Sequence, residues 1–133
     1  MLDRAKPFAN HALNALRHVR RELTGMNIDI VITAWGDWHI GTLRMCALPS
    51  ALSPRNLPAL AARHRCRLRL LTREADIDKI AGLEGLAAVR ALMPVEVRAM
   101  TAESVVAAPS HLAWWHAAGQ EAAQAGAMVL NLP

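Results

Sequence analysis

Side chains able to do chemistry gather at three places in this sequence. The first is Thr33-Ala34-Trp35-Gly36-Asp37, with Trp38 just beyond it. A glycine such as Gly36 lets the backbone approach a ligand closely. Trp35 or Trp38 can stack on a base, and Asp37 can accept hydrogen bonds from ribose or sugar hydroxyls. The competing reading has both indoles plugging the end of a core and Asp37 capping the next helix. The second place is Thr72-Arg73-Glu74-Ala75-Asp76. Arg73 can pair with a phosphate there, or stand in solvent as an ordinary loop residue. Asp76 and Asp78 are accounted for by the dipole of the helix they open. The third place is Asn131-Leu132-Pro133.

These segments acquire meaning from the elements that position them. Asn27 to Ala34 are β-branched and apolar, as a buried parallel strand requires. Trp35-Gly36-Asp37 breaks that strand. A helix is expected over about 38–51, stopping near Ser53-Pro54. Asn56 can cap a short helix that carries Pro58 in its first turn and runs to about Arg63. A second strand is expected over 66–72, and its Arg-Leu alternation places it partly exposed or near an edge. Residues 75–92 read as one helix, stopped by Pro94, and 95–99 as a short third strand. Ser110 can cap a last helix over about 110–125, with Gly126 as its stop, before a fourth strand over 127–132. Strands alternating with helices imply an α/β fold with a mainly parallel four-stranded sheet flanked by helices. In such sheets ligands sit at the carboxyl ends of the strands, beside a switch in strand order. All three clusters fall at strand ends.

A leading segment, 3–24, has Phe8, Ala12, Ala15 and Val19 at helical spacing with Arg and His between them. It reads as an amphipathic helix with Gly25 as its stop. Residues 1–25 are thus an N-terminal helix or linker, and 26–133 the α/β unit. The helix, or an open sheet edge, could serve self-association or a partner chain.

Composition narrows the function classes. With 133 residues, 53% hydrophobic and 20% charged, the chain supports a single core. Its net charge of +4 comes mainly from dispersed arginines, with no row of stacking aromatics, so a nucleic-acid interface is not expected. Cys46 and Cys66 lack Cys-x-x-Cys spacing and read as free thiols in a reducing cytoplasm. No apolar run reaches the roughly 20 residues of a membrane span, and the charged N-terminus is not a signal peptide. The loop after the first strand has neither Gly-x-Gly-x-x-Gly nor a P-loop. No Gly-x-Ser-x-Gly elbow is present. His111 and His116, five apart, are poor partners for one metal.

Two resemblances add to this reading. His39-Ile40-Gly41-Thr42 resembles the His-x-Gly-His motif of nucleotidyltransferases, with Thr42 in place of the second histidine. It implies an adenylyl-transfer site on His39, against the plain reading of a surface histidine on a helix. The longer resemblance runs from Ala47-Leu48-Pro49-Ser50-Ala51-Leu52-Ser53-Pro54-Arg55-Asn56-Leu57-Pro58-Ala59-Leu60 through Arg67-Leu68-Arg69-Leu70-Leu71-Thr72 to Leu92-Met93-Pro94-Val95-Glu96. It is similar to a group of bacterial glycosyltransferase-like proteins and covers about residues 28–133. In that group a strand ending in Trp-Gly precedes such a segment, and a strand ending in Thr follows it.

The resemblance implies the N-terminal half of a nucleotide-diphospho-sugar transferase (GT-A-like) sandwich, with the donor nucleotide over the ends of the first strands. The implied nucleotide-binding residues are Thr33, Trp35, Gly36, Asp37, Thr72 and Arg73. In the group an Asp that binds the metal follows the proline after the fourth strand. Here the sequence ends at Pro133, so catalysis is expected to be incomplete in this chain. A divalent Mn or Mg ion is expected only in a full-length relative, and no metal site is assigned to this chain.

Overall fold

Every second residue of the first strand must find an apolar neighbour, and this requirement sets the layers of the fold. The computed structural model describes residues 25–100 and 111–132. The leading segment 3–24, the Ser110 cap and Pro133 lie outside them. Strand β1 (Asn27–Thr33) pairs in parallel with β2 (Arg65–Thr72) on one side and β4 (Met128–Leu132) on the other, while β3 (Val95–Ala99) pairs in parallel with β2. The order across the sheet is β3-β2-β1-β4. The protein is therefore an all-parallel, four-stranded α/β fold with helices on both faces, as expected from the alternation of elements.

The even-numbered side chains of β1 and β2, including Ile30, Ile32, Leu68 and Leu70, form the larger core. It is covered by α1 (Gly36–Thr42), a π-helical turn (Leu43–Ala47), α2 (Leu48–Ala51), α3 (Leu57–Ala61), α4 (Ile77–Ala81) and α5 (Glu84–Arg90). On the opposite face Val31 and Leu71 pack against Trp114 and Ala118 of α6 (His111–Gln124). The chain thus advances through β1, β2 and β3 with helices on one face, then reverses to β4 with α6 on the other. Reversing both direction and face keeps a single crossover hand. The reversal also places a switch in strand order between β1 and β4, where open α/β sheets bind ligands.

Four local expectations need correction. The helix after β1 begins at Gly36 and runs to Ala51, but not as uninterrupted α-helix. Pro49 lacks an N–H and its ring clashes with the carbonyl four residues back. A π-helical turn takes up this region, with the Leu48 N–H bonding to the Leu43 carbonyl five residues back. Asn56 stands at the head of α3 without capping it; its Nδ2 donates to the Ser50 carbonyl at 2.7 Å. The expected single helix 75–92 is three pieces: a 3₁₀ turn (Glu74–Asp76), α4 and α5. Gly82 ends α4, extended Leu83 follows, and α5 turns so that Gly85 packs on Leu48.

The fourth correction concerns β2. Despite its Arg-Leu alternation it is an interior strand, not an edge. Its odd residues face a layer of paired charges. Arg67 holds Asp29 through two bonds of 3.1 and 2.7 Å, and Arg69 Nη1 donates to Glu121 at 2.9 Å. The Arg69 Nε lies 3.5 Å from Asp29 and 3.4 Å from Glu96, and Arg98 donates to both oxygens of Glu121. Three arginines and three carboxylates balance in charge, which offsets the cost of burying Asp29 and Arg69. Hydrogen bonding from Arg98 holds the Glu121 carboxyl below its ordinary range despite the opposing effect of partial burial.

Candidate functional site

The loops after β1 and β2 meet at one carboxylate. Gly36 adopts a left-handed φ of 71°, which glycine reaches without a Cβ penalty, and this turns the chain from β1 into α1. Its N–H donates to Asp76 Oδ2 at 2.9 Å. The Arg73 Nε and Nη2 donate to the same oxygen at 3.0 and 2.8 Å. Asp76 is buried, and these partners, the Gly36 amide foremost, hold its carboxyl below the ordinary aspartate value. A second link crosses nearby, from Lys79 Nζ to Asp37 Oδ1 at 2.9 Å. Asp37 draws the Lys79 ammonium upward in pKa.

An aromatic run leads from this rim into the core. The exposed Trp38 ring meets His39 edge-on at 5.0 Å, His39 lies 5.0 Å from Trp35, and Trp35 meets Trp114 edge-on at 5.1 Å. Such pairings match the ring quadrupoles and fix the orientation of each indole. His39 Nδ1 also bonds to the Trp35 carbonyl at 3.0 Å, and the Thr42 hydroxyl donates to the Trp38 carbonyl. The segment that resembles a nucleotidyltransferase motif therefore has both its polar side chains engaged by its own backbone.

The six residues expected at a nucleotide site do not stand alike. Gly36, Asp37 and Arg73 form the bonded rim, with Asp37 and Arg73 exposed. Trp35 is half-buried between His39 and Trp114, so it is partly core. Thr33 is half-buried at the end of β1. Thr72 is fully enclosed, and its hydroxyl has no hydrogen-bond partner. It therefore presents no side-chain atom to a ligand at the surface. Asp76 is the organising residue that a reading based on the helix dipole alone misses. The available signal was its spacing of three from Arg73, which lets both groups lie on one turn.

The Gly36 amide opens α1, yet an internal carboxylate already occupies it. An incoming phosphate would meet the outer side of Arg73 and Lys79 instead. Among the described residues no group of three or more His, Cys, Asp or Glu side chains could hold a metal ion. Cys46 is exposed and Cys66 buried, both as free thiols. Burial raises the Cys66 thiol above its ordinary pKa. Among the described residues no helix is long and apolar enough to cross a membrane.

In comparisons with family models, curated proteins and solved structures, none matches the chain.

Proposed function

We propose that the chain is a bacterial glycosyltransferase-like domain that binds a nucleotide-sugar donor over the carboxyl ends of β1 and β2. One observation carries the reading: Asp76 ties Gly36 and Arg73 into a single rim at the carboxyl ends of β1 and β2. That rim presents an exposed indole, Trp38, with two cations, Arg73 and Lys79, on neighbouring elements. An indole offers a face for a base. Arg73 and Lys79 offer donors to a diphosphate, and Asp37 an acceptor for a sugar hydroxyl. Among the residues expected from sequence, the reading now rests on Trp35, Gly36, Asp37 and Arg73, with Thr33 at the margin. No observation favours the nucleotidyltransferase reading; His39 Nδ1 and the Thr42 hydroxyl bond to the Trp35 and Trp38 carbonyls.

The test is a thermal-shift panel of UDP-, GDP- and CMP-sugars, with and without Mn²⁺, on the whole chain. One nucleotide class should raise Tm saturably and lose that effect in Trp38→Ala. A flat response to every nucleotide-sugar contradicts the reading.

A further inference from the structure

A second concave surface lies beside the outer strand β4 and shares no lining residue with this rim. Its floor is Ile32, Leu130 and Leu132, and its wall is built by Ala51, Leu57 and Leu60. The cavity measures about 760 Å³, within the roughly 300–1,000 Å³ typical of small-molecule sites. α6 covers β4 on the opposite face, so the floor is open here and Leu130 is 40% exposed. The wall belongs to the Ala47–Leu60 segment, the sequence marker to which the strand-end site assigns no role.

The polar part of the lining has one sign. Arg55, Arg63 and His64 line the cavity, and among the described residues no Asp or Glu does. Nearly every other cation among the described residues is engaged: Arg65 by Asn27, Arg67 by Asp29, Arg73 by Asp76 and Lys79 by Asp37. Arg69 and Arg98 share Glu121, and Arg90 reaches the Ala81 carbonyl. Arg55 and Arg63 have no side-chain hydrogen bond or ion pair, and Arg44 is the one other such cation among the described residues. The His64 Nδ1 is buried and unpartnered as well. Cations without acids above an apolar floor complement a molecule with an apolar body and a single anionic head.

We infer that this groove binds an acyl carboxylate, with the chain along Ile32, Leu130 and Leu132 and the carboxylate between Arg55 and Arg63. The site is separate from the strand-end rim and independent of the nucleotide-sugar reading. Each methylene laid on the floor tightens binding by up to about fourfold, the transfer energy of one buried CH₂.

The experiment is calorimetric titration of the whole chain with octanoate, decanoate and dodecanoate below their micelle concentrations, with decanol as the uncharged control. Dissociation constants should fall along the series, and decanol should bind at least tenfold more weakly than decanoate. Arg55→Gln/Arg63→Gln, with an unchanged circular dichroism spectrum, should weaken decanoate about tenfold and leave decanol alone. Leu130→Glu, which sets a carboxylate on the floor, should abolish decanoate binding and leave any nucleotide-sugar response at the strand ends intact. Equal binding of decanol and decanoate overturns the inference, as does indifference to the double substitution. So does the absence of saturable binding, which is the result if a second copy or residues 1–24 cover the groove.

Discussion

Replacing Arg69 by methionine removes the centre of the buried charge layer while keeping its volume. Arg69 is 7% exposed and touches three carboxylates, with Glu121 at 2.9 Å, Glu96 at 3.4 Å and Asp29 at 3.5 Å. Without it, three carboxylates face two guanidinium groups. Removing one partner from a buried pair costs about 3–5 kcal/mol when the other is stranded. Here the stranding is incomplete. Asp29 keeps Arg67 at 2.7 Å, Glu121 keeps Arg98 at 3.0 Å, and Glu96 and Glu121 are more than a third exposed and can rehydrate. The expected loss is therefore about 2–3 kcal/mol, below the full figure. For a domain of this size it lowers Tm by roughly 6–15 °C. Urea unfolding followed by far-ultraviolet circular dichroism at pH 7 measures it. The double substitution Arg69→Met/Glu121→Gln should recover at least about 1 kcal/mol relative to the sum of the singles, because the pair is in contact. A loss below about 1 kcal/mol for Arg69→Met, or strict additivity, would refute the view that this layer is a buried, interdependent network.

Other expectations follow from single contacts. Glu121 has a folded pKa below its ordinary value of 4.5, so its stabilising contribution is complete above that pH and is lost as pH falls through the depressed value. Acid unfolding of Glu121→Gln should thus be flatter below about pH 4.5 than that of the parent chain. Gly36→Ala forces a Cβ into a left-handed backbone, though the new atom meets Arg73 Nη2 at an ordinary 3.4 Å. Its cost should be the backbone term, about 1–2 kcal/mol by denaturant titration, and Gly36→Asn should cost less. Two helical glycines should behave oppositely. A Cβ at Gly85 would stand 3.0 Å from Leu48 Cδ1, so Gly85→Ala should destabilise by about 1–3 kcal/mol. A Cβ at Gly119 meets nothing among the described residues within 4 Å, so Gly119→Ala should stabilise by up to about 1 kcal/mol, read as a rise in Tm.

The sheet was legible in the sequence because its strands are distinguished by composition. Asn27 to Thr33 carry the β-branched apolar run of a strand buried on both faces, and the structure buries Ile28 through Ile32. The Arg-Leu alternation of β2 misled because alternation reports that one face is polar, not that it is wet. The partners that dry this face, Glu96 and Glu121, lie 27 and 52 residues from Arg69, beyond any local pattern. The break at Gly82 and the π-helical turn before Pro49 are local, but their outcome depends on packing, as at Gly85 against Leu48. Within the candidate site, Gly36 and Arg73 were legible from residue type at a strand end. Their common partner Asp76 was visible but absorbed by a sufficient local explanation, the helix dipole. Thr72 was misjudged because a strand's final residue can face either layer, and here the core takes it. The groove beside β4 could not be read at all, since it depends on which face α6 covers.

The central claim is that a nucleotide-sugar binds where the β1 and β2 loops meet at Asp76. Titration of the ¹⁵N-labelled chain with UDP-, GDP- and CMP-sugars, read by amide and indole chemical shifts, tests it most directly. The account predicts saturable shifts for one nucleotide class at the Trp38 indole and at the Gly36 and Arg73 amides, with Leu57 and Leu130 unmoved. Spectra unchanged by all three nucleotide classes, or shifts confined to Leu57 and Leu130, would contradict it.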